Sequence, residues 1–444
     1  MRLAVNPSTL TVLACVSLGC AYYNGLYNAN RLANEAGKAE REGRRGEAQS
    51  LWTRAAVKAE SVTTRYPDSK YYDDALLLQG RALSRIGECR DAVRPLHAAV
   101  TESVDGELRV EAALLLGRCQ LEVGETDTAW ATLSALVDHD DPSVTSRALY
   151  WRGRAALAAG RPAAALDDLK RTAEPTALFD RALAMTELGF TREAASTLDT
   201  ASALTFAEDR WAQVLARLGA VDLQSASALV ERLLARNDLT SGERARLLMA
   251  DGVRWTPADP AYAADRFTAA VTAAGDSLEG RVARAHLAIA QIRRTTDLEQ
   301  VVELTDEFGS LMLEGGEVVT VAGGFADLLD GIVLAIETPA PRHADLRIFR
   351  GAETARDSLA ALPLAARLFL LVRERYPESV IAPKALLAAA ALRLDTADSL
   401  RAIVRNEYPT SPYTLAASGE FSAAYTAVED SLRTLLVREI IRPR

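Results

Sequence analysis

Cysteine, histidine and aromatic residues are all scarce in this chain. It has four cysteines and four histidines among 444 residues, and aromatic residues make up 6%. Two cysteines lie within the first twenty residues, and the remaining two are too few for a disulfide framework that would replace a hydrophobic core. The histidines, His97, His139, His286 and His343, are scattered, and none shows the four-residue spacing of a helical zinc site.

Positive charge and catalytic motifs are also lacking. The formal net charge is -9, which argues against nucleic acid as a partner. Gly315-Gly316 and Gly323-Gly324 lack the Lys and Ser/Thr of a phosphate loop, and there is no Gly-x-Ser-x-Gly elbow. The acidic run 138–142 could bind a cation, although a helix cap explains it as well. We predict a non-catalytic protein with no cofactor, no metal and no small-molecule substrate.

What the sequence does contain is helical periodicity with regular punctuation. Tyr66-Pro67 closes one helix, because Pro lacks a backbone donor and disfavours helical geometry in the residue before it. Asp68 and Ser69 are then expected to cap the next helix. From Tyr72 onward, apolar residues recur at helical spacing. Hydrophobic residues make up 49% of the chain, enough for a sizeable helical core.

The same punctuation recurs along the chain. Three units share one pattern, in which a first glycine is followed by a second glycine after seven residues and by an alanine after twelve. The three sets are Gly80/Gly87/Ala92, Gly117/Gly124/Ala129 and Gly153/Gly160/Ala165. Weaker copies occur at Gly189/Ala194 and Gly252/Ala264, and 205–236 and 280–308 look like unmarked helical pairs. This spacing is typical of tetratricopeptide repeats. We predict an all-α fold of tetratricopeptide-like helical hairpins stacked in a right-handed superhelix, an α-solenoid.

Composition suggests five segments. Residues 1–19 are predicted to be a signal peptide, and 20–312 an N-terminal repeat array. The glycine- and proline-rich stretch 313–350 is expected to be an irregular linker or a degenerate repeat. Repeats then resume over 351–415. The last segment, 416–444, is expected to end the array with a capping helix that has one apolar face, formed by Phe421, Tyr425, Val428, Leu432, Leu435 and Leu436.

The N-terminus has the pattern of an exported protein. Arg2 precedes a short apolar run that ends at Gly19-Cys20, too short to span a bilayer. A small residue directly before a cysteine resembles the bacterial lipobox, which implies acylation of Cys20, with Cys15 as a rival site. An ordinary signal peptide or an uncleaved anchor is the alternative. By resemblance to lipoprotein sorting, Ala21 favours the outer membrane.

A Tyr-Pro-x-Ser corner occurs three times, at Tyr66–Ser69, Tyr376–Ser379 and Tyr408–Ser411. Together with the lipid-type cysteine and the hairpins, it resembles the BamD family of outer-membrane lipoproteins over residues 20–137 and 355–415. The resemblance implies a scaffold at the periplasmic face of the outer membrane that assists β-barrel assembly. Other periplasmic repeat proteins share the corner. A periplasmic organiser of cell-envelope or peptidoglycan machinery, of the Tol-Pal kind, therefore remains the alternative.

Candidate partner contacts are the polar and basic residues on the first helices of the hairpins. Those helices line the groove of a stacked array, where another protein's helix or extended segment can lie. The candidates are Gln79, Arg81, Arg118, Arg152 and Arg154. Such arginines could pair with a partner's carboxylates. The alternative is a solvated face with local salt bridges.

Cys89 and Cys119 form a candidate disulfide. Cys89 begins a second helix, and Cys119 lies in the latter half of the next first helix. Antiparallel packing brings these points to the same end of the stack, and the periplasm is oxidising. Two small buried residues that do not bond are the alternative.

Overall fold

Every regular element in the described part of the chain is an α-helix, which confirms the all-α prediction. The computed structural model describes residues 25–202, 208–313, 315–337, 343–393 and 395–441. The predicted signal segment 1–19, with Cys15, and the lipidation candidate Cys20 lie outside these residues.

The chain divides into two compact units, and the boundary in the sequence falls between Leu233 and Leu234. The segment 313–350, expected to interrupt the array, lies inside the second unit. The first unit contains α1 (25–41), α2 (Arg45–Arg65), α3 (Tyr72–Arg85), α4 (Cys89–Glu102), α5 (Gly106–Glu122), α6 (Thr126–Ser134), α7 (Pro142–Ala158), α8 (Pro162–Arg171), α9 (Ala177–Glu187), α10 (Thr191–Ala201), α11 (Glu208–Val221) and α12 (Leu223–Leu234), which reaches the boundary. The second contains α13 (Ser241–Trp255), α14 (Pro260–Ala274), α15 (Leu278–Ile292), α16 (Leu298–Met312), α17 (Glu317–Glu337), α18 (Ala344–Asp357), α19 (Leu362–Arg375), α20 (Ala382–Leu392), α21 (Ala397–Glu407), α22 (Pro412–Ala417) and α23 (Ala423–Ile441).

In the first unit, consecutive helices from α2 to α10 pack against each other as hairpins. The first helix of a hairpin also contacts the first helix of the next one, in the pairs α3–α5, α5–α7, α7–α9 and α9–α11. This packing is that of a tetratricopeptide-type array, in which each unit buries its apolar surface against its neighbours.

The repeat glycines stand where two helices cross. A Cβ atom on Gly117 would lie 2.5 Å from the side chain of Leu133, and one on Gly153 would lie 2.7 Å from that of Leu169. Any larger residue would push the second helix away. The absence of a side chain at these glycines therefore allows the two helices to approach closely.

The second glycine of each unit forms the turn between the two helices. Gly124 has a φ of 87°, in the left-handed region where a side chain is unfavourable, and Gly87 and Gly160 have φ of 87° and 69°. The alanines at the twelve-residue step, Ala92, Ala129 and Ala165, are completely buried. Each marker residue of the sequence pattern therefore has a packing or backbone role.

The Tyr-Pro corner has the same backbone geometry at all three sites. The tyrosine carbonyl accepts a hydrogen bond of 3.1 Å from the amide of the serine, at Tyr66, Tyr376 and Tyr408. The serine hydroxyl then accepts from the amide two residues later. The expectation that Asp68 and Ser69 cap α3 is wrong, because that helix begins after Tyr71 and Ser69 stabilises the turn instead.

Helix α17 lies where an irregular linker was one expectation. Its 21 residues include Gly323 and Gly324. An apolar face that includes Val318, Ala322 and Leu329 is buried, and α17 packs against α15, α16 and α18. This burial outweighs the low helix propensity of the glycines. By length and composition α17 could also cross a membrane.

The C-terminal helix lies over first helices of the second unit. α19 and α21 end in the Tyr-Pro corner, as the second helix α2 does, so they are second helices. α18 and α20, which precede them, are therefore first helices. α23 contacts α20 and α22 through Glu429, and it shares a cavity with α18. It therefore does more than cap the last repeat. Phe421 does not take part in its packed face, because this residue is 75% exposed.

Candidate functional site

The first helices α3, α5, α7, α9 and α11 lie side by side in the first unit, and we call the surface they share the first-helix groove. Two depressions lie along it. One, of about 260 Å³, is between α3, α5 and α7, and the other, of about 760 Å³, is between α5, α7, α9 and α11. The two depressions have Trp151 in common, so the groove is continuous across five neighbouring hairpins.

Arg81, Arg118 and Arg154 form a row along the groove. Each directly follows its repeat glycine, so the repeat period places all three at the same position of successive first helices. Arg81 and Arg118 line the smaller depression, and Arg154 lines the larger one. The sequence prediction therefore located these three residues on the groove, and partner binding by them stays a prediction.

Trp151 lies between two of these arginines. The guanidinium carbon of Arg118 is 5.4 Å from its ring centroid, and that of Arg154 is 4.9 Å away. Both distances are within the range of cation–π attraction. Neighbouring Tyr150 also lines the smaller depression and lies 5.7 Å from the Arg154 guanidinium. The middle of the groove is thus an aromatic surface flanked by two cations.

Each groove arginine also has a local acidic partner. Arg81 pairs with Glu111, and Arg118 pairs with Glu122 at 2.8 Å. On α9, the buried Asp180 lies 3.7 Å from Arg154, and it lies 2.7 Å from Arg210 of α11. The local salt bridges proposed as an alternative to partner contacts are therefore present.

Positive charge is in excess in the smaller depression. Four arginines line it, Arg81, Arg85, Arg118 and Arg147, against Glu111 and Glu174. The larger depression is balanced, with three arginines and three carboxylates. In a chain with a net charge of -9, a local positive surface lined by aromatic rings favours an acidic ligand.

Arg152 and Gln79, the other two candidates, do not line either depression, and partner binding by them stays a prediction. Arg152 points to the second helices, where it pairs with Asp168 and lies 4.6 Å from the ring centroid of Trp130. Gln79 accepts a hydrogen bond of 3.3 Å from Thr63 of α2. Both precede the repeat glycine, and two residues along a helix turn a side chain by about 200°, to the opposite face.

Sequence reasoning also missed groove residues. Tyr150 and Trp151 are an aromatic pair just before a repeat glycine, in a chain with few aromatic residues. Their spacing from Gly153 equals that of Leu114 and Leu115 from the glycine of the preceding unit. Aligning the units residue by residue would have placed all four on the groove.

The structure joins Cys89 and Cys119 by a disulfide. Cys89 is the first residue of α4 and Cys119 lies in the latter half of α5, with Cα atoms 4.8 Å apart and a sequence separation of 30. Both cysteines are buried. The geometry therefore permits the bond proposed from the sequence, and its formation in the native protein stays a prediction.

Acidic residues elsewhere serve helix ends. In the run 138–142, Asp141 is the N-cap of α7 and accepts a hydrogen bond of 2.8 Å from the amide of Ser143, with Pro142 at the first helical position. Within the described residues, no group of three or more His, Cys, Asp or Glu side chains is arranged to hold a metal ion. The groove offers cations, aromatic rings and apolar walls, which are groups for binding.

No protein-family model matches the chain. No curated protein matches it either. Among solved structures, it is similar to a tetratricopeptide repeat protein from Parabacteroides merdae, with 17% identity, a TM-score of 0.39, and coverage of 60% of this chain and 99% of that one. It is also similar to the human IFIT1 dimer with PPP-AAAA, with 12% identity, a TM-score of 0.30, and coverage of 89% and 94%. A third is the APC/C hetero-tetramer Cut9-Hcn1, with 11% identity, a TM-score of 0.26, and coverage of 89% and 96%.

Proposed function

We propose that this chain is a non-catalytic scaffold that binds an acidic segment of a protein partner in its first-helix groove. The observation that carries the proposal is the position of Trp151 between Arg118 and Arg154. Aromatic residues and arginines dominate the energy of protein interfaces, and arginine pairs favourably with carboxylates. A partner segment with acidic and apolar residues would match both the rings and the cations.

The local ion pairs do not prevent such binding. Glu122, the partner of Arg118, is 37% exposed, and Glu111, the partner of Arg81, is 41% exposed. Exposed pairs of this kind contribute about 0–1 kcal/mol each. A carboxylate of the partner can therefore take over an arginine at little cost, whereas the buried Asp180 keeps its place and helps to orient Arg154 and Arg210.

We further propose that the scaffold acts in the cell envelope, anchored by lipid on Cys20 at the periplasmic face of the outer membrane. The apolar N-terminal run ending at Gly19-Cys20 supports export and acylation. The contact of Cys89 with Cys119 fits an oxidising compartment. The partners would be other envelope proteins, with outer-membrane assembly components first among them. The alternative is a periplasmic organiser of peptidoglycan machinery.

The groove is tested by charge reversal with a matched control. Arg118→Glu together with Arg154→Glu changes the row in the groove. Arg90→Glu together with Arg94→Glu makes the same charge change on the exposed surface of α4. Tagged chains are captured from detergent-solubilised envelopes, and their partners are quantified by mass spectrometry. We expect the groove variant to lose partner recovery by about tenfold or more, and the control to keep it.

Equal capture by the groove variant and the control would refute the groove proposal, provided that both keep the wild-type melting temperature. The N-terminal peptide from the same sample tests the anchor. Acylated Cys20 together with β-barrel assembly components supports the assembly role. An unacylated N-terminus, or a partner set of cell-wall or Tol-Pal proteins, refutes it and favours the alternative.

A further inference from the structure

Helix α23 covers part of the second unit with one face only. Its half-buried residues follow helical spacing, at Tyr425, Val428, Glu429, Leu432 and Leu435, and none of the side chains described over 423–435 is fully buried. Leu432 and Leu435 pack against the core of the unit. A cavity of about 110 Å³ remains between α23 and helices α18 and α20. The helix therefore lies on the surface of the unit and contributes only half-buried side chains to it.

One carboxylate anchors this helix. Glu429 accepts a hydrogen bond of 2.6 Å from Nζ of Lys384 on α20 and one of 2.8 Å from the hydroxyl of Tyr413 on α22. The Lys384 ammonium lies 5.5 Å from the ring centroid of Phe349 on α18 and 5.4 Å from that of Tyr413. The socket for Glu429 is thus a cation held between two aromatic rings.

The protonation of Glu429 agrees with this role. Burial acts to raise its pKa, but the hydrogen bonds from Lys384 and Tyr413, together with the charges of Lys384 and Arg433, outweigh burial and hold the pKa below the ordinary value. The side chain is therefore ionised at neutral pH, and it pairs with Lys384 as a carboxylate. The socket selects for negative charge.

The connection to α23 allows it to leave. Residues 418–422 link α22 to α23 without helical structure, and Gly419 has a φ of 91°. Phe421 in this link is largely exposed. Because α23 contributes no fully buried side chain over its described part, undocking would expose a half-buried face and leave the core of the hairpins α18–α19 and α20–α21 intact.

We propose that α23 is a built-in ligand, and that the surface beneath it binds an amphipathic helix of a partner protein that displaces α23. The partner helix would carry an acidic residue that pairs with Lys384, as Glu429 does. Apolar residues would lie four and one positions before this residue and three positions after it, which are the positions of Tyr425, Val428 and Leu432 relative to Glu429. This inference concerns the second unit only and does not depend on the first-helix groove.

The probe is a fluorescent peptide with the sequence of residues 421–441. In the full chain the tethered helix competes with it, because a short link gives an effective concentration in the millimolar range. Glu429→Lys in the full chain removes the anchor and repels Lys384. We expect this variant to bind the peptide at least about tenfold more tightly than the wild-type chain, measured by fluorescence anisotropy, because a larger fraction of its sites is open.

Asp430→Lys is the matched control. This neighbouring acidic residue is on the exposed face of α23, so the same charge change should leave peptide binding at the wild-type level. A peptide in which the residue corresponding to Glu429 is Lys should bind the released chain at least about tenfold more weakly than the wild-type peptide, which distinguishes the carboxylate socket from general apolar adhesion.

Hydrogen exchange of α23 gives an independent readout. Glu429→Lys should remove amide protection over 423–435, and adding Lys384→Glu to it should restore protection by re-forming the ion pair with opposite signs. The proposal is overturned if Glu429→Lys leaves both protection and peptide binding unchanged, or if the two peptides bind equally. Dimers of the released chain without a gain in peptide binding would also overturn it, in favour of helix exchange between two copies.

Discussion

Asp168 on α8 accepts two hydrogen bonds from the guanidinium of Arg152 on α7, with Oδ2 2.8 Å from Nε and Oδ1 2.5 Å from Nη2. Both side chains are largely buried, at 2% and 13% exposed. In the second unit the charges are reversed at the same place, where Asp251 on α13 pairs with Arg266 on α14 at 3.0 Å. One ion pair thus joins the two helices of a hairpin in either polarity.

Removing one member of this pair should be costly. Asp168→Ala leaves the Arg152 charge buried without its main partner, and we expect the free energy of unfolding of the first unit to fall by about 3–5 kcal/mol. The exchange Arg152→Asp with Asp168→Arg should recover at least half of that loss, since Asp251 and Arg266 have this arrangement. Urea unfolding followed by circular dichroism measures both. A double exchange as unstable as Asp168→Ala would contradict the interpretation.

The repeat glycines give a second prediction. Gly153→Ala places a Cβ atom 2.7 Å from Leu169 and 3.3 Å from the carbonyl oxygen of Ala165, so we expect a loss of about 1–3 kcal/mol in stability. Gly46→Ala in α2 is the control, because no atom lies within 4 Å of its Cβ position, and it should be neutral or stabilise by about 0.5–1 kcal/mol. In thermal melts, the melting temperature should fall for Gly153→Ala and should stay unchanged or rise for Gly46→Ala.

The Cys89–Cys119 pair gives a third prediction. Protein exported to the periplasm of an expression host and purified without reductant should weigh less than the reduced protein by the mass of two hydrogens, and neither cysteine should react with an alkylating reagent. Because the bond closes a loop of 30 residues, Cys89→Ser with Cys119→Ser should lower stability by about 3 kcal/mol. Two reactive thiols in unreduced protein would instead support the alternative of two small buried residues.

His286 should make the second unit sensitive to mild acid. It stacks on Phe267 with ring centroids 5.1 Å apart, and burial, together with the charge of Arg293, lowers its pKa below 6.5. The unfolded chain therefore binds a proton at a higher pH than the folded chain does. The stability contribution is complete above pH 6.5 and is lost as the pH falls toward the lowered pKa. His286→Gln should reduce the fall in melting temperature between pH 7.5 and about 5.5, relative to wild type. An unchanged pH profile in this variant would exclude His286 as the cause.

Much of the fold could be predicted because its markers have direct physical roles. Gly117, Gly124 and Ala129 each meet a packing or backbone requirement, so their spacing reported the hairpins correctly. The site was less predictable. Arg152 and Arg154 are equally polar and lie two residues apart, and only helix rotation sends one into the hairpin interface and the other into the groove.

Tertiary contacts decided what the sequence left open. The glycines of α17 are typical of a linker, and the burial of Val318 and Leu329 among neighbouring helices makes the segment helical instead. The apolar face of α23 was visible in the sequence, whereas its docking site depends on Lys384 and Tyr413, which precede Glu429 by 45 and 16 residues. Pairings at such separations follow no local pattern.

Helix α17 has a consequence for how the protein is made. In an exported chain this apolar segment of 21 residues would pass the membrane-insertion machinery before any neighbour could cover it. Asp327 and Asp330 lie near its centre and are exposed in the folded unit. A carboxylate at the middle of a membrane-spanning helix disfavours insertion by about 2.5–3.5 kcal/mol. In an exported chain, these two carboxylates would therefore counteract the insertion of α17 as a stop-transfer anchor.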